Sequence, residues 1–490
     1  MTVLVIDVGS SSVRTLLFDH HARPVPDAMI SHPYRFTTSP PGAATVDAGI
    51  LRALVEVCID DILKHPAADT IEAVGMATFV GNILGLDRHG QAATPVYTYA
   101  DSRSADDVRL LAEQIDQTAT HQRTGCPHHT AYQPARLHWL RRTAPAKFES
   151  VTQWLDFATY LYREWFGHAA CSYSVASWSG LLDRESLQWD ADWLEVLGIA
   201  SVMLPLLADY VTPLAGLQPE CAGRWPVLRD VPFFLAVGDG AAANVGSGAV
   251  DGSHIALTVG TTAALRLLSD TPRPAVPAGL WGYRLDEDHH LIGGATSEGG
   301  NIFRWARQTL ILPDQDSVET ALLNRPPDVH GLTVLPLLAG ERSPGWSDVA
   351  SGGIVGLRLS STPLDILQAA LEGVALRLSL IADQLKDISD NDITFMAGGG
   401  ALAASPAWAQ IIANALDHPL CILAESEPTA RGVAILTLRA LGQCVLSDHP
   451  PTIYRTLHPQ IERVTALRAA RKRQIDLYRF ITGADDDGAS

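Results

Sequence analysis

Long apolar runs are missing from this 490-residue chain. No stretch approaches the roughly 18 uninterrupted apolar residues that a membrane-spanning helix needs, so no transmembrane segment is expected. Positive charge is scarce as well: 36 Lys and Arg stand against 54 Asp and Glu, a formal net charge of −18. Nucleic acids and anionic membrane surfaces attract concentrated cations, and both are excluded as partners on that ground. Any anionic substrate must be held by local donors, because the overall field repels it. Cysteine is sparse, with six residues (Cys58, Cys126, Cys171, Cys221, Cys421, Cys444) and no Cys-x-x-Cys pair. Such scattered thiols read as reduced core residues rather than as a disulfide framework or a structural zinc site. Residues Met1 to Asp7 lack the basic segment that opens a secretion signal, so the expectation is a cytoplasmic protein. Two nucleotide-binding signatures are also absent: neither a G-x-x-x-x-G-K-[ST] loop nor a G-x-G-x-x-G fingerprint occurs.

What is present is globular material. Hydrophobic residues make up 47% of the chain and charged ones 18%, which rules out disorder of the chain as a whole, and the length is too great for one ordinary core. An internal echo suggests how the chain divides. Val3-Leu4-Val5-Ile6-Asp7-Val8-Gly9-Ser10-Ser11-Ser12, followed by Arg14, Leu16, Leu17, Phe18 and Asp19, returns as Ile255-Ala256-Leu257-Thr258-Val259-Gly260-Thr261-Thr262, followed by Leu265, Leu267, Leu268 and Asp270. With Gly9 set on Gly260, the hydroxyl pair, the apolar run and the closing Asp fall into line. Each copy reads as a hairpin with a polar, glycine-containing tip. Two similarly built α/β domains follow, 1–246 and 247–490, with a last helix near Val464–Phe480 folding back. Other segments have a local reading. Ala73–Asp87 is a buried strand, a turn and a second strand ending at Asp87-Arg88-His89-Gly90. Ser104–Asp116 and Pro134–Arg142 carry helical periodicity, and Phe233–Gly240 is an apolar strand ending in Gly-Asp-Gly. Pro363–Leu385 is a long helix with a cap-plus-proline start, and Thr394–Ala397 runs into Gly398-Gly399-Gly400 before a helix from Pro406 to Leu416.

These features allow a particular chemistry. A Gly followed by Ser or Thr turns tightly while its N–H groups and hydroxyls converge on an anion, and two such tips facing one another can hold the phosphates of a nucleotide. Asp7 ends the first strand, where it is either a Mg²⁺ ligand or a turn-capping carboxylate. Thr258 takes its place in the second copy. Asp239, between two glycines after a buried strand, is either the base for an attacking hydroxyl or the N-cap of a Gly240–Val245 helix. The Gly398-Gly399-Gly400 turn permits close approach of a flat aromatic base, and equally serves as a plain turn.

On these residues the chain resembles the FGGY family of carbohydrate kinases, within the actin, sugar-kinase and chaperone ATPase superfamily. Asp7-Val8-Gly9-Ser10-Ser11-Ser12-Val13-Arg14 and Thr258-Val259-Gly260-Thr261-Thr262 resemble the two phosphate motifs, and Gly238-Asp239-Gly240 the strand end with the catalytic base. Gly352-Gly353-Ile354-Val355-Gly356-Leu357, continued by Asp365–Glu372, resembles the C-terminal signature, and Ala397-Gly398-Gly399-Gly400-Ala401 with Ser405 the adenosine motif. Glu427-Pro428-Thr429-Ala430-Arg431-Gly432 is similar to a further family segment, with Pro428 as a departure. The resemblance implies two ribonuclease H-like domains around a central cleft, and ATP with Mg²⁺ as cofactors. It implies Asp239 as base and Asp7 as metal ligand, often through water. Ser10, Ser11, Ser12, Arg14, Gly260, Thr261 and Gly300 would surround the phosphates, and Gly399, Gly400 and Ser405 the adenosine. A small polyhydroxylated substrate is implied, and a homodimer, common among family members, is a further expectation.

Several segments are similar to gluconokinase-type members: Leu291–Asn301 with Trp305-Ala306-Arg307, Gly340-Glu341-Arg342-Ser343-Pro344-Gly345-Trp346, and Tyr99-Ala100-Asp101-Ser102-Arg103. Thr78, Phe79, Asp101 and Arg103 are the substrate-facing candidates, with Gln133 beside them, although Arg103 can instead pair with Asp101. At Val80-Gly81 the sequence departs from the pattern, because sugar kinases of this type carry a substrate-facing His there and Gly81 offers no side-chain donor. The expected reaction is ATP-dependent phosphorylation of a primary hydroxyl on a sugar or gluconate-like aldonate. A kinase for a pentulose such as xylulose, for glycerol or for another polyol is the alternative, and a non-catalytic or chaperone-like ATPase the second.

Overall fold

The computed structural model describes residues 1–347, 349–389 and 392–483. Two seven-stranded sheets organise the chain. In the first, Thr2–Val8 pairs antiparallel with Ser12–Asp19, which pairs antiparallel with Pro24–Pro33; on its other edge Thr2–Val8 runs parallel to Ile71–Thr78. The second repeats this plan. His254–Val259 pairs antiparallel with Ala263–Ser269, which pairs with His290–Thr296, while Thr394–Gly398 lies parallel on the far side of His254–Val259. The echo in the sequence is therefore an echo of topology. The tips differ in length: Val8 pairs with Val13, leaving 9–12, whereas Val259 pairs with Ala263, leaving 260–262. Arg14 thus occupies the register position of Ala264, not of Leu265 as an ungapped alignment has it.

Burial on both faces explains the near-continuous apolar run of Thr2–Val8. Leu4, Ile6 and Val8 enter the first core, under the helix Ala48–Ile62, and Val3 and Val5 turn to a cluster between the halves. That helix starts because Asp47 accepts the N–H of Ile50, and it buries Leu51, Val55, Cys58, Ile59 and Ile62 along one stripe. In the second half Thr362 and Asp365 form a reciprocal capping box that starts the helix Pro363–Lys386. Leu367, Leu371, Val374, Leu378 and Ile381 of this helix fill the second core. The helix Pro406–Leu416 matches its expected bounds, and the helix of Ser104–Asp116 is Ala105–Ala112.

Three segments differ from expectation. Leu84–Leu86 pairs with Gln153–Leu155 rather than with Ile71–Thr78, although the Asp87–Gly90 turn does fold Ala92 back onto Leu86. The apolar run Phe233–Gly238 is two short strands broken at Leu235-Ala236, both parallel to Ile71–Thr78. The last helix, Ile461–Thr482, stays with its own half against Pro363–Lys386 and Pro406–Leu416. Another helix makes the crossing instead: Pro428–Ala440 lies on Thr2–Val8, Ile71–Thr78 and the helix Asp239–Gly246. Glycines permit this approach. A Cβ on Gly432 would fall 1.8 Å from the Ala242 carbonyl oxygen, and one on Gly246 1.8 Å from that of Pro428. Among the described residues no helix is long and apolar enough to cross a membrane.

Candidate active site in the cleft

Val237–Gly238 runs parallel to the end of Ile71–Thr78, with Gly238 opposite Thr78, and the chain turns at once into the helix Asp239–Gly246. Gly238 is the capping residue, so Asp239 is the first helical residue and not the N-cap, which is one of its two readings in the sequence. Its carboxylate still serves the helix start, since Oδ1 accepts the Gly240 N–H at 2.8 Å. The flanking glycines have a steric reason. A Cβ on Gly238 would lie 2.8 Å from Trp178 Nε1, and one on Gly240 3.0 Å from the Trp178 ring and 3.2 Å from Arg266 Nε. Burial, and next the charge of Asp7, push the Asp239 carboxyl up to about 6; the Gly240 N–H and the Arg266 guanidinium pull the other way.

Asp7 is itself buried, and Arg14, its cross-strand partner, holds it in an ion pair. Burial raises the Asp7 carboxyl, Arg14 opposes that, and Glu427 adds to it. The Arg14 guanidinium also reaches across to Glu427 in the other half. It therefore spans two carboxylates, and its Nε is buried without a partner. Near it the first tip is closed by the Gly9 N–H on the Ser12 carbonyl at 3.0 Å and by the Tyr34 hydroxyl on the Gly9 carbonyl at 2.6 Å. Ser10 and Ser12 are half-buried and Ser11 exposed at that tip.

The second tip meets a helix start. Gly300 opens the helix Gly300–Thr309, its N–H donates to the Gly260 carbonyl at 2.6 Å, and a Cβ there would lie 2.8 Å from that oxygen. Gly260, Thr261, Gly300, Gly400 and Ser405 line one cavity of about 480 Å³, with Phe303 and Arg304 on its wall. Gly399 lies outside it. With φ +112° and a Cβ position 2.4 Å from the Val259 carbonyl oxygen, it makes the turn that brings the lining residues in. The Ser405 hydroxyl caps the helix Pro406–Leu416 by accepting the Trp408 N–H. A second cavity of about 330 Å³ joins the halves: Val80, Gly81 and Asp239 from the first, Thr258, Arg266 and Arg342 from the second. Its wall is aromatic. Trp178 of the first half stacks on Tyr283 of the second at 3.8 Å between centroids, and Trp281 on Tyr283 at 4.4 Å.

A carboxylate just after a strand end, two glycine-hydroxyl hairpins and two cavities thus sit in the two halves of the chain, and both halves match known domains. Residues 2–246 match the N-terminal domain of the FGGY family of carbohydrate kinases and residues 255–441 the C-terminal domain. The chain belongs to that family. It is 26% identical to a gluconokinase of Bacillus subtilis (strain 168) over 475 residues, 94% of this chain and 92% of that one. It is also 26% identical to a glycerol kinase of Roseiflexus sp. (strain RS-1) over 461 residues, 90% of each chain. Among solved structures it resembles a ligand-bound xylulose kinase from Lactobacillus acidophilus, with a TM-score of 0.91, 25% identity and 99% of each chain covered. This FGGY protein is accordingly a carbohydrate kinase, a phosphotransferase that uses ATP.

Within the FGGY fold several candidate substrate residues lie elsewhere. Thr78 and Phe79 are fully buried. The Phe79 N–H continues the sheet onto Val8 O at 2.7 Å, and its ring enters the first core, because a strand covered on both faces ends in core as well. Asp101 and Arg103 pair with each other, Nε and Nη2 donating at 3.0 and 2.6 Å, while Arg103 stacks over Trp139. The Gln133 side chain donates to the Asn82 carbonyl, and Asn82 in turn binds the Phe79 carbonyl and the Phe157 N–H. None of these six lines the second cavity. The glycine at 81 is explained by its turn: φ is +66°, and a Cβ would stand 2.8 Å from Ala131 O. Ser10, Ser11, Ser12, Asp7 and Arg14 line neither cavity.

Two residues escaped the sequence reading. Arg266 is a lone cation in the apolar strand Ala263–Ser269, on the same face as Ala264 and Thr258, and that interruption was a legible signal. Arg342 lay inside a quoted motif without an assigned role. The aromatic wall had no sequence signal, since its members come from Trp178 and from Trp281–Arg284, a hundred residues apart.

Proposed function

We propose that this kinase transfers the γ-phosphoryl group of ATP to the primary hydroxyl of a gluconate-like aldonate, with Asp239 as the base. One observation carries the reading: the Asp239 carboxylate, raised to about 6 and pinned through Oδ1, faces a cavity shared by both halves and bordered by the second hairpin. A base with that poise is largely ionised at neutral pH yet still attracts a proton. Asp7 fits a Mg²⁺ ion, because it is a buried carboxylate close enough to Asp239 to repel it, and a cation held by Asp7 would relieve that repulsion. Among the described residues no group of three or more His, Cys, Asp or Glu forms a metal cage, which suits a metal held by one carboxylate and substrate phosphates. When bound, Mg²⁺ supplies neutralisation of charge on the β- and γ-phosphates.

The protein's own residues do the rest. Asp239 takes the hydroxyl proton on Oδ2, the oxygen not engaged by Gly240. The half-buried Arg266 cation favours the ionised form of Asp239 against the field of Asp7. The Trp178–Tyr283–Trp281 stack offers an apolar face to the C–H bonds of a polyol chain. Gly260, Thr261 and Gly300 present backbone donors and a hydroxyl for the phosphates, Ser10, Ser11 and Ser12 face them from the first hairpin, and Gly400 and Ser405 border the adenosine. Closure of the domains, which we divide at 246/247, excludes the water that would otherwise hydrolyse the donor. The reading implies a cytoplasmic enzyme. A neutral acceptor is the second reading, favoured by the xylulose and glycerol kinases among the relatives. A panel of D-gluconate, D-xylulose, glycerol and related polyols with ATP and Mg²⁺, followed by ADP release, tests it. Strongest stimulation by D-gluconate is expected, and stimulation by none of them overturns the proposal.

A further inference from the structure

The second cavity holds more positive charge than the base alone requires. Arg266 is half-buried, its Nε is buried with no hydrogen-bond partner among the described residues, and its guanidinium makes a long 3.4 Å contact from Nη1 to the Thr258 hydroxyl. Arg342 lines the same cavity, and its guanidinium has no hydrogen bond or ion pair among the described residues. The acids that might neutralise it are engaged elsewhere. Glu341 is taken by Arg377 and by the Tyr478 hydroxyl at 2.6 Å, and Glu298 by the Ala339 N–H at 2.7 Å. The loop is fixed, since Ser343 N–H donates to Ala295 O at 3.0 Å and Trp346 N–H to Arg342 O at 2.8 Å. In a chain of net charge −18, two cations that repel each other beside a single carboxylate, Asp239, make a site for an anion.

The charged groups also act on one another across the cavity. The charge of Arg266 is felt at Asp239, whereas that of Arg342 is felt at Arg266, His129, Tyr132 and Tyr283. Asp239, Arg266 and Arg342 thus line one cavity, with Arg266 acting on Asp239 and Arg342 on Arg266. A linear sugar acid likewise carries both a hydroxyl for the carboxylate base and a carboxylate for the cations. Guanidinium is suited to a carboxylate because its planar fork donates two parallel hydrogen bonds.

We propose that Arg342, seconded by Arg266, binds the carboxylate of the acceptor, so that this pair sets the choice of a sugar acid over a neutral sugar. The inference rests on the kinase reading above and names the residues that give it specificity. It is tested with D-gluconate and D-glucitol, which share a carbon skeleton and differ in the carboxylate, on the wild type, Arg342→Met and Arg342→Lys. The wild type prefers D-gluconate, and in Arg342→Met the gluconate-to-glucitol ratio of kcat/KM falls about 10- to 100-fold, the loss expected for a charge-assisted pair. Arg342→Lys retains charge without the fork and falls between. The KM for ATP stays within about twofold in both, and calorimetric titration of D-gluconate without ATP weakens by the same factor. An equal fall for both acceptors, or a rise in the KM for ATP instead, overturns the proposal and assigns Arg342 to the phosphoryl group or to structure. A wild type that phosphorylates D-xylulose and ignores D-gluconate overturns the carboxylate site while the kinase reading stands. Turnover of no acceptor overturns both. Thermal melting shows whether Arg342→Met is folded, and if it is not, Arg342→Lys alone decides by the same ratio.

Discussion

Replacing Asp239 by Asn should make this protein more stable and almost inactive. Folding lifts the carboxyl from 3.8 to about 6, mainly by burial. A carboxyl raised in the folded state binds its proton more tightly there than in the unfolded chain. Stability is therefore lost as pH rises from about 4 through about 6, and the full cost is present above that window. Two units at 1.36 kcal/mol each correspond to about 3 kcal/mol at pH 8, an upper bound because a neutral amide is a weaker acceptor for the Gly240 N–H. At pH 5, where the wild-type group is already partly protonated, the gain shrinks to about half. Melting of ligand-free protein should accordingly rise by several degrees at pH 8 and by less at pH 5. Turnover should fall by on the order of 10²- to 10⁴-fold, the contribution of a positioned base, while ATP binding persists. In the wild type kcat/KM should decline below about pH 6 as the base is protonated. A lower melting temperature for Asp239→Asn at pH 8, or turnover within tenfold of wild type, refutes the reasoning.

Two substitutions separate structure from recognition. Arg103→Ala leaves the buried Asp101 carboxylate with only backbone N–H donors from Ala44 and Arg103. It should cost about 3 kcal/mol on denaturant unfolding, with the acceptor KM unchanged; a raised KM at full stability would return these two residues to the substrate. Gly432→Ala drives a Cβ to 1.8 Å from Ala242 O, where two backbones meet and neither can yield cheaply. A loss of at least about 2 kcal/mol in thermal melting is expected, and a wild-type melting curve would show that the helices separate without strain.

Much of the fold was legible because it depends on local patterns. The two hairpins, the capped helix after Thr362 and the break before Asp239 are each fixed by neighbours in sequence: buried strands are apolar throughout, tips need glycine and hydroxyls, and a helix needs its first N–H groups answered. Asp239 was legible for the same reason. What failed was the step from residue type to direction. Thr78 and Phe79 stand two and one positions before Val80, yet a strand covered on both faces turns them into core, and only from Val80 does the chain reach the cavity.

Sequence alone determined that there are two like-built halves, that each carries a glycine-hydroxyl hairpin, and that one carboxylate follows a buried strand. Tertiary structure decided everything that depends on distant partners: Arg14 shared between Asp7 and Glu427, Asp101 closed off by Arg103, the aromatic stack drawn from both halves, and Arg266 and Arg342 left without an ion pair among the described residues. The physical reason is that charge and burial are properties of surroundings. A carboxylate or guanidinium has the same letter whether a partner neutralises it or a cavity leaves it waiting, and only the packing of the two halves tells which.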